Sequence, residues 1–270
     1  MTKNIEKAAV LGAGVMGAQL AGHFANAGIP TLLFDINLEL SERGIENLKK
    51  LKPSPLFKPK NSDLITPCSY EKHIELLSNV DWVLEAVAEK LDIKHKVYGS
   101  ISPHIKNDTI LSSNTSGIPL NDLINGLPDS LHPRFMITHF FNPPRYMRLL
   151  ELVKGEKTDD NTYNSIATFG ESTLGKGIVH AKDTPNFIAN RIGVYGMLLS
   201  IRQAVKMNIS VESVDKLTGT VVGRQKSATF RTADLVGLDT LSHVARTSYD
   251  RGELDEERDM FIIPDILKTL

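Results

Sequence analysis

The first strong pattern in the chain is a short apolar run, Lys7-Ala8-Ala9-Val10-Leu11, closed by glycine. From Val15 to Ala27 the apolar residues then fall at helical spacing, at Met16, Leu20, Phe24 and Ala27. Gly28 supplies a helix stop, Pro30 cannot continue a helix, and Thr31-Leu32-Leu33-Phe34 is a second apolar run ending at Asp35. Strand, glycine turn, helix and strand within about 30 residues make a βαβ unit. The alternation continues with a helix over 38–51, a short run near Leu64, a helix over 70–77, a strand over 82–87 and a helix over 91–104. Strands follow over 109–113, 135–139 and 149–153, then a helix over 163–174 and a strand over 177–180. This order predicts an α/β, doubly wound domain with a mostly parallel sheet.

After Lys182-Asp183-Thr184-Pro185 the strand pattern stops. Only helical candidates remain, over 187–206, 211–217 and 231–249, with a further start at Ile263. A smaller all-α domain over 184–270 is therefore expected to follow a first domain over 1–183. No internal repeat and no low-complexity tract interrupts either part, although the lysine- and proline-rich stretch 49–60 reads as a loop.

Composition narrows the function classes. The 270 residues are 41% hydrophobic and 23% charged, the proportions of a globular protein. Lys plus Arg is 31 against Asp plus Glu 32, so a net charge of -1 leaves no basic field to hold nucleic acid or anionic lipid. The longest apolar run, over 192–201, is about half of the roughly 20 residues a membrane span needs, and Gly193 and Gly196 interrupt it. A single cysteine, Cys68, excludes an intramolecular disulfide and a zinc site built from cysteines, and fits a reducing, cytoplasmic setting.

Gly12-Ala13-Gly14-Val15-Met16-Gly17 matches Gly-x-Gly-x-x-Gly directly after a strand and at the opening of a helix. Gly12 permits the tight turn, Gly14 lets backbone approach a pyrophosphate, and Gly17 lets the helix pack on the strand, while the helix N-terminus faces the phosphates. Asp35, eighteen residues beyond Gly17, would accept hydrogen bonds from the adenosine ribose hydroxyls and repel an added phosphate. A Rossmann domain that takes NAD rather than NADP is the expectation; the same glycine turn also suits a flavin, so the reaction has to be read elsewhere.

His139 ends the apolar run Phe135-Met136-Ile137-Thr138, and Glu151 sits within Leu149-Leu150-Glu151-Leu152-Val153, where a lone carboxylate is costly unless paired. If these strands are neighbours, the Glu151 carboxylate reaches one imidazole nitrogen, fixes the tautomer and makes His139 a general base. A dehydrogenase needs such a base, because the alcohol loses its proton as hydride leaves carbon. Glu151 has other partners within reach in the chain, Arg145 and Arg148, and spacing alone does not choose among them.

Taken together, Thr138-His139-Phe140-Phe141-Asn142-Pro143-Pro144, Ser113-Asn114-Thr115-Ser116, Glu151-Leu152-Val153 and the run from Lys182 through Asn190 to Arg191 resemble the 3-hydroxyacyl-CoA dehydrogenase family. The segments Lys226 to Asp234 and Val236 to Thr240 resemble bacterial β-oxidation proteins in which this module is fused to an enoyl-CoA hydratase. The resemblance implies that His139 is the base, Glu151 its orienting partner, and that Ser116 and Asn190 hydrogen-bond around the 3-oxygen of an acyl-CoA substrate. It also implies that Ser116 and Asn142 lie near the nicotinamide end of NAD, that Glu89 and Lys94 contact the cofactor beside Gly12, Gly14, Val15, Met16, Gly17 and Asp35, and that the helical domain forms a homodimer. Without the resemblance, Glu89 and Lys94 read equally as the exposed start of a helix. Lys49, Lys50, Lys52, Lys58 and Lys60 are placed to meet CoA phosphates or simply to solvate a loop.

Two departures stand out. Gln225 replaces the proline usual in the fused relatives, and the chain stops at Leu270, before the glycine-rich segment with which related modules continue. The reaction expected is NAD-dependent oxidation of an (S)-3-hydroxyacyl-CoA to the 3-ketoacyl-CoA. Its rivals are a dehydrogenase of a small hydroxy acid without CoA, and a truncated module that binds NADH but is catalytically incomplete.

Overall fold

The computed structural model describes residues 2–253 and 255–268; the chain end at Leu270, read above as a truncation, lies outside them. The backbone divides into two compact units, residues 1–183 and 184–270.

The first unit is one eight-stranded sheet in the order β3-β2-β1-β4-β5-β6-β7-β8. Its strands are β1 Ala8–Leu11, β2 Thr31–Asp35, β3 Ile65–Ser69, β4 Trp82–Glu85, β5 Ile110–Ser113, β6 Phe135–Phe140, β7 Leu149–Val153 and β8 Gly177–Ala181. All neighbours are parallel except β6 and β7. The first six strands follow the doubly wound order, in which the direction of winding reverses between β1 and β4 and leaves a crevice at the carboxyl ends of those strands. Helices α1 Val15–Asn26, α2 Leu38–Lys50, α3 Tyr70–His73, α4 Leu91–Ile101, α5 Leu120–Ile124 and α6 Asp160–Ser172 connect them. β1, residues 32–34 of β2 and residues 82–84 of β4 are apolar throughout because these strands are covered on both faces, whereas the edge strand β3 leaves Thr66 exposed. Leu20 and Phe24 of α1 close one face on Val10, Trp82 and Leu84, with the Phe24 and Trp82 rings 5.0 Å apart. Asn37 caps α2 by accepting a hydrogen bond from the Leu40 amide, which sets the helix to leave β2 immediately after Asp35.

The second unit is helical: α7 Ala189–Lys206, α8 Val211–Thr218, α9 Phe230–Val236 and α10 Leu238–Arg251. Leu198 and Ile201 of α7, Phe230 and Ala233 of α9 and Leu241 and Ala245 of α10 form its core with Phe261. Among the described residues no helix is long and apolar enough to cross a membrane.

Several expected boundaries differ for identifiable reasons. The single helix expected over 231–249 is two, because Gly237 takes a φ of +95° that no helix continues, and a Cβ there would sit 2.6 Å from the Asp239 carboxylate. The helix expected from Phe187 starts at Ala189, since Asn186 and Phe187 are left-handed at φ 58° and 51°. Helix 70–77 keeps one turn and continues as a 3₁₀ helix over Ile74–Asn79, and the start at Ile263 is a 3₁₀ turn over Asp265–Lys268 after Pro264. The short helix α5 carries too few residues to show a period and was not foreseen.

Candidate active site

The glycine turn between β1 and α1 lies at the carboxyl edge of the sheet. Gly12 has φ +100°, and a Cβ on it would lie 2.7 Å from the Ala86 carbonyl oxygen after β4; one on Gly17 would lie 1.8 Å from the Gly12 oxygen. Both positions are closed to any other residue, whereas a Cβ on Gly14 meets nothing within 4 Å. Gly14 therefore faces open space at the N-cap of α1, whose first turn has neither an acidic residue nor a side-chain cap. Unsatisfied helix N–H groups facing a cradle without side chains suit a pyrophosphate. A cleft of about 490 Å³ runs past this turn, its lining including Gly12, Gly14, Val15, Met16, Asp35, Tyr70, Ala86, Val87, Ala88 and Ile93. The Asp35 carboxylate accepts the Ala13 amide at 2.7 Å through Oδ2 and the Ile36 amide at 2.7 Å through Oδ1. It braces the turn and keeps a lone pair on each oxygen for ribose hydroxyls. The adenosine and pyrophosphate part of a dinucleotide fits this chemistry.

His139 and Glu151 face each other across the one antiparallel pairing of the sheet, in direct register. Side chains directly opposite on one face have their Cβ atoms about 4.5 to 5.5 Å apart, near enough for a histidine and a glutamate to meet. His139 Nδ1 lies 2.7 Å from Glu151 Oε2, with His139 5% exposed and Glu151 fully buried. The carboxylate thus fixes Nδ1 as the protonated nitrogen and directs proton exchange to Nε2. Neither Arg145 nor Arg148 forms an ion pair with Glu151: Arg145 instead donates to the carbonyls of Ser54 and Leu56. The loop joining β6 to β7 carries Asn142, whose Oδ1 accepts from Gln19 Nε2 of α1 at 2.9 Å. The loop is held from below by Lys176, a buried ammonium bonded to the carbonyls of Pro144 and Met147.

A second buried group ends β4. Glu85 Oε1 accepts from Lys94 Nζ at 2.7 Å and the Val87 amide at 2.8 Å, and Oε2 accepts from the hydroxyls of Tyr98 at 2.9 Å and Ser113 at 2.6 Å. Lys94, 1% exposed, also lies 3.1 Å from Glu89 Oε2. Glu89 Oε1 accepts the Thr115 hydroxyl at 2.6 Å, the Ser116 amide at 2.8 Å and the Ser116 hydroxyl at 3.3 Å. Burial pushes the Glu89 carboxyl up, but the Lys94 ammonium and the donors from Thr115 and Ser116 outweigh it and leave the group below the ordinary glutamate range. The reading of Glu89 and Lys94 as an exposed helix start is thereby corrected: the lysine points inward because a fully buried carboxylate waits for it.

Known families match this arrangement. The family described as "3-hydroxyacyl-CoA dehydrogenase, NAD binding domain" matches residues 7–184, and "3-hydroxyacyl-CoA dehydrogenase, C-terminal domain" matches 187–269. The chain belongs to the 3-hydroxyacyl-CoA dehydrogenase family. Proteins named "Probable 3-hydroxyacyl-CoA dehydrogenase" from Bacillus subtilis and Deinococcus radiodurans are 45% and 44% identical over 100% and 98% of the chain, which spans 37% and 78% of their lengths. Among solved structures, FadB2 of M. tuberculosis is 28% identical with a TM-score of 0.87, covering 99% of this chain and 93% of its own. The (S)-3-hydroxybutyryl-CoA dehydrogenase PaaH1 of Ralstonia eutropha is 25% identical with a TM-score of 0.84, covering 98% and 93%. The flavin reading of the glycine turn gives way to NAD.

For this member of the family, the first unit brings the expected residues into three groups: the glycine turn with Asp35, His139 with Glu151, and Glu89 with Lys94 and Ser116. Asn190 lies half-buried in the first turn of α7, in the second unit. Lys50 is exposed at the end of α2, 4.0 Å from Glu46, and forms no ion pair with any of these groups. Gln19 and Glu85 escaped the sequence reading. Glu85 carried the same signal as Glu151, a lone carboxylate at the end of an apolar strand; Gln19 is a buried polar residue one helical turn after Val15.

Proposed function

We propose that the chain catalyses NAD-dependent oxidation of an (S)-3-hydroxyacyl-CoA to the 3-ketoacyl-CoA, and its reverse. The His139–Glu151 pair at 2.7 Å carries this reading, because a buried carboxylate aligned on an imidazole is what proton removal from an alcohol requires. NAD, when bound, supplies the hydride acceptor. His139 Nε2 takes the proton of the 3-hydroxyl as the C3 hydrogen departs with its electron pair, and Glu151 stabilises the imidazolium that forms. In the reverse direction the imidazolium returns that proton to the 3-oxygen. Ser116, held by Glu89, hydrogen-bonds the 3-oxygen, and the resemblance assigns Asn190 the same role. Gly12, Gly14, Val15, Met16, Gly17 and Asp35 hold the adenosine and pyrophosphate; Glu89 and Asn142 hold the other end of the cofactor, and Lys94, buried between Glu85 and Glu89, fixes Glu89 in place rather than touching the cofactor itself.

The substrate class rests on the relatives' names, and three parallel assays test it. Loss of NADH absorbance should occur with acetoacetyl-CoA and not with free acetoacetate, nor with NADPH in place of NADH. Equal turnover of the free acid would replace the CoA ester with a small hydroxy acid. NADH binding without any turnover would leave a cofactor-binding module. The fused arrangement, with an enoyl-CoA hydratase elsewhere in the polypeptide, and a homodimer through the helical unit belong to the same proposal; two relatives in Rickettsia carry the name "Putative fatty acid oxidation complex trifunctional enzyme".

A further inference from the structure

Glu85 lies at the end of β4 and is fully buried, yet no step of the proposed reaction uses it. A carboxylate in the interior is costly and is retained where its charge or its hydrogen bonds matter. A neutral amide of the same shape would keep one acceptor oxygen for Lys94 and the Val87 amide, but would leave the Tyr98 and Ser113 hydroxyls facing an NH2 group that donates rather than accepts. Nor would an amide supply the charge.

That charge is not cancelled locally. Lys94 is the one cation within ion-pair distance of Glu85 among the described residues, and it is shared with Glu89, at 2.7 and 3.1 Å. Two carboxylates about one ammonium leave the trio with a net charge of −1. The trio meets the rest of the site at one place, Ser116, whose amide and hydroxyl both bond to Glu89. Asp35 fixes the adenosine end of the cofactor on β2, and the glycine turn fixes the pyrophosphate. The cleft at the glycine turn is lined by Ala86, Val87 and Ala88, which lie between Glu85 and Glu89 in the chain, and the proposed role of Ser116 puts the nicotinamide end beside the trio. The nicotinamide ring is cationic in NAD and neutral in NADH.

We infer that Glu85 is a positioning and electrostatic residue: by sharing Lys94 with Glu89 it keeps a net negative charge beside Ser116 that favours the oxidised, cationic cofactor over the reduced one. The inference rests on the proposed placement of Ser116 at the reacting end, but it does not require turnover of any acyl-CoA. It makes the site an oxidation-biased one through a residue that need not touch the cofactor.

The test is the ratio of dissociation constants, Kd(NAD) over Kd(NADH), measured by NADH fluorescence and by its displacement with NAD. Glu85→Gln keeps the shape, removes the charge and turns part of its acceptor capacity into a donor, and should raise the ratio by about 3- to 10-fold, the size expected of one charge acting over roughly 12 to 25 Å at an effective dielectric of about 20. Tyr98→Phe removes a hydrogen bond from the same carboxylate but no charge, and should leave the ratio at its original value. Glu85→Ala removes the same charge without adding an amide donor and should raise the ratio in the same direction, so the inference stays testable if the Gln variant does not fold. An unchanged ratio in Glu85→Gln or Glu85→Ala, or an equal change in Tyr98→Phe, overturns the inference. If acetoacetyl-CoA is not reduced but the ratios behave as stated, only the reading of the reaction fails.

Discussion

At the scale of single residues some buried polar groups have a specific partner, as His139 has Glu151 and Lys94 has Glu85, while the ring nitrogens of His23 have no hydrogen-bond partner. Glu151→Gln keeps the contact to His139 but cannot stabilise an imidazolium. Its kcat should fall by about 10²-fold or more while NADH affinity changes little, since general acid–base catalysis contributes of that order. A loss confined to KM would place Glu151 in binding instead. His23, buried in α1, makes a different prediction. Burial, and next the ammonium of Lys176, push its imidazole down to about 3, against a weaker pull from the Leu174 carbonyl. In the unfolded chain the group titrates near 6.5, so as pH falls the unfolded state binds the proton first and the folded state loses stability between about 6.5 and 3. The slope from this one group is at most about 1.4 kcal/mol per pH unit. His23→Leu should flatten urea-unfolding free energies across that window, and an unaltered slope would contradict the assignment.

At the scale of elements, two turns decide the site. In the glycine turn, Gly17→Ala drives a Cβ into the Gly12 carbonyl, whereas Gly14→Ala enters open space. The first should cost about 1 to 3 kcal/mol of stability, as overpacking does. The second should leave the melting temperature within about 2 °C and weaken only NADH binding, since a surface substitution away from packing changes stability by about 0.5 kcal/mol or less. Thermal melts with and without NADH separate the two, and equal destabilisation would mean that Gly14 is not the open face. The other turn, between β6 and β7, reverses the chain and sets His139 against Glu151. The residue types at both turns were legible: glycine spacing, a carboxylate after the second strand, and a histidine and a glutamate at the edges of apolar runs. The antiparallel sense of β7 was not, because an apolar strand buried on both faces has the same pattern in either direction. The break at Gly237 was hidden for a related reason. The apolar period runs on through 231–249, and only the left-handed backbone shows that the glycine ends one helix and begins another.

At the scale of the whole molecule, each of the two units has its own buried cluster. NADH at about 100 times its dissociation constant should stabilise the first unit by about 2.7 kcal/mol, the amount mass action supplies to a ligand-binding state. Hydrogen exchange should show this protection at the amides of 12–18 and 85–90. Uniform protection spread over 189–251 instead would place the cofactor elsewhere. The division of the chain near residue 183 could be read from the loss of strand periodicity. The inward turn of Lys94 and the Glu85 trio could not, because burial of a charged side chain depends on which partner the fold brings to it.

The central claim is that His139, oriented by Glu151, moves the proton of the 3-hydroxyl. Its most direct test is NADH oxidation by acetoacetyl-CoA at saturating cofactor, with the original chain beside His139→Ala. Turnover should fall by about 10²- to 10⁴-fold in the variant, with NADH affinity nearly unchanged. Turnover at the original rate in the variant would contradict the assignment of His139 as the base.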